Sequence, residues 1–146
     1  MRLFATLLLT SALGSWTASA QSDPGTESNV SCVERLQMPY YPPLADQARI
    51  SGTVTATVSL GTDGSIQNTT MDMGAASTTA KHLFPPEVHK ALRASGFHKG
   101  CGGKSVTLVF HFVLGEQSDP HGLPQAVSFG YPNQFWISVP PMIAQP

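Results

Sequence analysis

No apolar run in this chain is long enough to cross a bilayer, which takes about 20 residues. The most apolar stretch, Leu3 to Leu13, is too short and is broken by Thr6, Thr10 and Ser11. It follows a lone Arg2 and precedes Ala18-Ser19-Ala20, a small-residue cleavage site. Residues 1–20 therefore read as a cleaved export signal, with Gln21 as the mature N-terminus and no transmembrane anchor expected in the mature chain. No cysteine stands beside the cleavage site to take a lipid. Basic residues are few and scattered, with eight Lys and Arg against nine Asp and Glu. Without a basic stripe interleaved with aromatics, nucleic acid is excluded as a partner.

Catalytic frames are missing too. There is no G-x-S-x-G and no H-E-x-x-H, and the carboxylates are isolated. The five histidines form no close ligand pair on one face, so they read as solvated surface residues and no metal or cofactor is expected. HKGCGGKS, residues 98–105, ends like a phosphate-binding loop. His98 stands where that loop needs its first glycine, and a helix precedes the segment while a strand follows, the reverse of the required order. An enzyme is not expected.

Only two cysteines are present, Cys32 and Cys101. In an exported chain they most simply pair with each other, and closing so long a loop contributes roughly 4 kcal/mol in the chain-entropy description. A metal pair with histidines and an intermolecular bridge are the competing readings.

What is present organises one small domain with tails. Residues 21–31 are polar and turn-rich, a flexible lead. In PPLADQARI, Pro42 and Pro43 suit the first turn of a helix, with Leu44, Ala48 and also Ala45 facing inward and Gly52 ending it. From 53 to 60, Val54, Ala56, Val58 and Leu60 alternate with Thr53, Thr55, Thr57 and Ser59, the pattern of a half-buried strand. Gly61-Thr62-Asp63-Gly64 forms a hairpin turn, and Ser65 to Met73 returns antiparallel. PPEVHKALRAS, residues 85–95, reads as a proline-started helix with Phe84, Val88, Ala91 and Leu92 on one stripe. Lys104 to Leu114 is the strongest strand. Val106, Leu108, Phe110, Phe112 and Leu114 share one face, and Ser105, Thr107, Val109, His111 and Val113 the other. Helix, strand, strand, helix, strand predicts an α+β two-layer sandwich.

The series YPPLADQARISGTVTATVSLGTDGSI, FPPEVHKALRASGF and VTLVFHFVL resembles the C-terminal domain of the TonB family over residues 39–114. The resemblance implies a small antiparallel three-stranded sheet with helices packed on one face, within a domain spanning 32–114. It also implies a periplasmic, energy-transduction related binding module. Such a module adds an extended peptide of an outer-membrane transporter, or of another envelope protein, to an open sheet edge. Carried over by position, the partner-binding residues are Tyr40, Tyr41 and Pro42 together with the last strand, Val106, Leu108, Val109, Phe110, His111 and Val113. The bland reading of Tyr41 is that it fills the end of the core while its hydroxyl reaches water. The alternative function is a self-associating envelope accessory protein, a homodimer through the same edge, without energy transduction.

Residues 115–146 lie outside the resemblance. They begin polar, then carry Phe129, Tyr131, Phe135 and Trp136 within eight positions. Either VSFGY and FWISV fold back over the edge of the last strand, or the tail is a contact surface for a partner.

Overall fold

The computed structural model describes residues 29–115 and 125–140; the expected export signal and most of the expected polar lead lie outside the described residues. In chain order the elements are β1 (Val33–Arg35), α1 (Pro43–Gln47), β2 (Gly52–Leu60), β3 (Ile66–Asp72), α2 (Thr78–Arg93), β4 (Gly96–Phe97), β5 (Ser105–Leu114), β6 (Ala126–Gly130) and β7 (Gln134–Val139). The fold is an α+β sandwich, as its sequence predicts, but the sheet is larger. Five strands run in the order β3-β2-β5-β7-β6, and β1 and β4 form a separate two-stranded pair.

The β2–β3 hairpin forms where alternation and turn residues place it, with Thr55 opposite Asp72 and Ser59 opposite Asn68. Val54, Ala56, Val58 and Leu60 are buried, and so are Val106, Leu108, Phe110 and Phe112 of the neighbouring β5. The expected edge position of β5 is not what is found. Residues Val109–Leu114 pair in parallel with Gln134–Val139 of β7, while the other side of β5 pairs antiparallel with β2. Residues 134–139 alternate as strictly as β2 does, and they bury Phe135, Ile137 and Val139. At about 1.5–3 kcal/mol for each buried side chain, that burial is worth roughly 5–8 kcal/mol. An unpaired β5 edge would forgo it.

Both helices depart from their expected bounds. α2 starts seven residues before Pro85, at Thr78, with Ser77 as its cap accepting from the Ala80 N–H at 3.2 Å. Pro85 and Pro86 therefore sit inside the helix. They withhold hydrogen bonds from the carbonyls of Lys81 and His82, two exposed residues whose carbonyls water can reach. α1 is a single turn that buries Ala45 but leaves Leu44 64% exposed. It stops early because Arg49 takes a left-handed conformation (φ 53°), from which the Ile50 N–H closes onto the Ala45 carbonyl at 2.8 Å.

Cys32 and Cys101 form an internal disulfide across 69 positions. The metal-pair and intermolecular readings are thereby set aside. Close approach explains the glycine beside it. A side chain at Gly102 would meet the Thr62 backbone at 2.7 Å, where the disulfide loop packs on the β2–β3 turn.

Tyr41 closes the opposite end of the core. Its ring meets Phe84 and Phe112 edge-on at 5.8 and 5.7 Å, and those two rings stack at 4.5 Å. The hydroxyl donates to the Ile50 carbonyl at 2.6 Å instead of reaching water. Burial, then the charge of Asp46, pushes the phenol up to about 12, partly opposed by Arg49.

Two predictions follow from this packing. Cys32→Ser/Cys101→Ser should lose about 4 kcal/mol in urea denaturation, the loop-closure contribution for so wide a bridge. Tyr41→Phe keeps the ring and loses the hydroxyl bond, so it should be about 1 kcal/mol less stable at pH 8. A raised phenol pKa stabilises fully below about pH 10, and that stabilisation is lost as pH rises toward 12. The wild-type advantage over Tyr41→Phe should therefore shrink between pH 8 and pH 11. An unchanged difference would contradict the burial that raises the phenol.

Candidate functional site

The residues singled out from the sequence separate into three groups. Tyr41 and Pro42 are buried and structural, whereas Tyr40 stands 61% exposed. Val106, Leu108 and Phe110 are fully buried on the helix-facing side of β5. Val109, His111 and Val113 lie on the open face, half-buried. Over Val109–Leu114 the carried-over edge is thus interior, and a partner reaching that stretch must first displace β7.

His111 is not a freely solvated histidine. Its Nδ1 lies 3.0 Å from the Thr53 hydroxyl and its Nε2 3.2 Å from Gln134 Oε1, and its ring stacks on Trp136 at 4.8 Å. Thr53, His111, Trp136 and Ser128 are direct cross-strand partners over four strands. The Trp136 indole also leans across Gly130, where it leaves no room for a Cβ. This row pins β5, β7 and β6 in register on the open face.

The open edges are elsewhere. Among the described residues, β6 pairs only with β7 and β3 only with β2. Their chemistry differs sharply. β6 reads Ala-Val-Ser-Phe-Gly, with no charge and no proline to discourage pairing. Val127 and Phe129 lie opposite Ile137 and Phe135, so they point to the helix side of the sheet. They are 45% and 57% exposed. Phe129 touches Phe135, with ring centroids 5.2 Å apart.

The Tyr-Pro segment is fastened next to this edge. The Tyr41 N–H donates to Gln125 Oε1 at 3.0 Å, and Gln125 Nε2 donates to the Pro39 carbonyl at 3.3 Å. Gln125 immediately precedes β6, so residues 39–41 are clamped to the start of that strand while Tyr40 projects outward. Gln125, Val127 and Phe129 were missed as site residues. The only sequence signal for them was an aromatic, uncharged alternation in an otherwise polar tail.

Among the described residues no group of three or more His, Cys, Asp or Glu gathers to hold an ion. Asp63 is a turn residue: the Ser65 hydroxyl and N–H donate to its Oδ1 at 2.6 and 3.0 Å and hold its carboxyl below the usual range. Among the described residues no helix is long and apolar enough to cross a membrane.

No family model matches the chain. Protein TonB of Klebsiella pneumoniae is 32% identical to it over 98 residues, which cover 67% of this chain and 38% of that protein. The chain therefore spans well under half the length of this relative. Over that stretch it is similar to TonB, and this TonB-like relationship is what sequence comparison establishes for it.

Proposed function

We propose that the chain is a TonB-like protein-binding module of the bacterial envelope, with a transport-related role and no catalysis of its own. Residues 1–20 would direct it to the periplasm, an oxidising compartment in which the Cys32–Cys101 bridge is expected to persist. Its ligand would be an extended segment of an outer-membrane transporter or of another envelope protein, added as a sixth strand beside β6. The likeness to Protein TonB supports the class of protein. The exposed, uncharged β6 edge, with Val127 and Phe129 uncovered beside it, is the observation that carries the mode of binding.

The energetics favour β6 over the carried-over β5 edge. A strand added at β6 gains main-chain hydrogen bonds and covers apolar side chains already in water. A strand added at β5 must first expel Phe135, Ile137 and Val139 from the core, at roughly 5–8 kcal/mol. The proline-stiffened chain tied to Gln125 at the start of β6 is already ordered, so little conformational freedom is lost when a peptide docks.

A second reading rests on the local symmetry of β6. Antiparallel pairing of two copies about Ser128 sets Val127 opposite the partner's Phe129 on one face. A self-associating envelope protein would use the same edge in that way.

Val127→Lys/Phe129→Lys places two charges on the edge without touching a fully buried residue. Fluorescence anisotropy with synthetic peptides from the periplasm-facing segments of outer-membrane transporters should show at least a tenfold loss of affinity, about 1.4 kcal/mol. Circular dichroism should be unchanged. Equal affinity for the variant would sink the β6 assignment. Light scattering of the unliganded chain separates the second reading: a dimer abolished by the same double substitution supports self-association.

A further inference from the structure

At the far end of the sheet, four strands away from β6, the other free edge borders a groove of about 570 Å³. Its floor is the start of β3, including Gln67, Asn68 and Thr69, and one wall is α2, which contributes His89 and Arg93. The cause is visible in the packing. α2 turns Phe84, Val88, Ala91 and Leu92 into the core, leaving its flank free beside β3. On the helix side of β3 the register partner of Val58 is Thr69, a polar residue, and the pairing slips between Ser59 and Leu60. Strand and helix flank therefore stay apart.

We propose that this groove binds an extended acidic segment of a protein partner, added as a strand to β3 with its carboxylates facing α2. The charge pattern selects the ligand. His89 and Arg93 are the only ionisable side chains lining the groove, and no carboxylate is among them. Arg93 has no ion pair among the described residues, where the single salt bridge joins Arg49 to Asp46. At the rim, Glu34 Oε2 would lie 4.0 Å from a Cβ placed on Gly96.

Geometry sets the spacing. The first residues of β3 line the groove together with the last residues of α2, so the helix runs back along the strand. His89 and Arg93 are four residues apart, about 6 Å along a helix axis. Alternate residues of an added strand repeat on one face every 6–7 Å or so. A segment with acidic residues at alternate positions thus presents one carboxylate to each side chain, and Arg93 can take its carboxylate through two parallel hydrogen bonds. The uncovered amides and carbonyls of β3 supply the rest of the recognition. Because this site and the β6 edge are opposite margins of one sheet, the domain can hold two extended chains at once. The inference does not depend on the β6 assignment.

The test uses the full-length chain and a fluorescein-labelled decapeptide of alternating Glu and Val, with the Gln-Val peptide as control. The Glu peptide should bind, and the Gln peptide should bind at least tenfold more weakly. Binding of the Glu peptide should weaken as salt is raised. Arg93→Gln should lower affinity at least tenfold, Arg93→Lys should restore part of it, and Val127→Lys/Phe129→Lys should leave it unchanged. Amide shifts in NMR spectra should fall on residues 67–69. Arg93 is exposed, so its replacement leaves the fold intact, and a matching melting curve checks this. Undiminished affinity for Arg93→Gln, or peptide-induced shifts confined to residues 126–130, overturns the proposal.

Discussion

The pairing of β7 with β5 is the contact on which the surface of this domain depends. It converts what would be an open margin into the middle of a five-stranded sheet. It does so with apolar burial as well as backbone hydrogen bonds, since Phe135 stacks on Phe110 at 5.5 Å and Ile137 is completely enclosed. Cross-strand contacts on the opposite face, above all His111 against Trp136, act on the same register. Sliding β7 by one residue would turn Phe135 and Ile137 to solvent and Trp136 into the core, so the alignment is strongly specified.

With that position filled, the free edges lie at the two ends of the sheet, and these ends are unlike. β3 is polar, offset from β2 by a register irregularity, and flanked by His89 and Arg93. β6 is short and uncharged, and its apolar Val127 and Phe129, on the helix side of the sheet, stay exposed. Exposed strand edges are usually blunted by charge, proline or a bulge. In β3 the irregularity is confined to its first residues, where Leu60 pairs with Ile66, and Asn68 to Asp72 pair regularly. β6 has shortness alone, which fits an edge kept available for pairing.

The remaining scaffold serves to keep these edges in place. The disulfide joins the chain before β1 to the loop before β5, and the β2–β3 turn rests on that loop through the space left at Gly102. At the opposite end, Tyr41 anchors the proline segment in an aromatic cluster while Gln125 ties the same segment to β6. Adjacent tyrosines thus have opposite tasks. One ring is spent on the core, and its neighbour is left at the surface.

Local pattern determined much of this in advance. The hairpin from Gly52 to Asp72, the two faces of β5, the Cys32–Cys101 pair and the α+β class all follow from alternation, turn glycines and cysteine count. Those signals arise within a few residues of one another, or from there being one available partner. The start of α2 was hidden because Pro85-Pro86 imitates a helix beginning, although the cap is Ser77; the two exposed carbonyls that make the prolines tolerable are visible only in the fold. Tertiary structure alone decided which margin of the sheet is free. Residues 134–139 announce a strand by their alternation, but alternation is the same for every possible neighbour. The choice of β5 depends on comparing burial across the whole core, a non-local quantity that no short stretch of sequence contains.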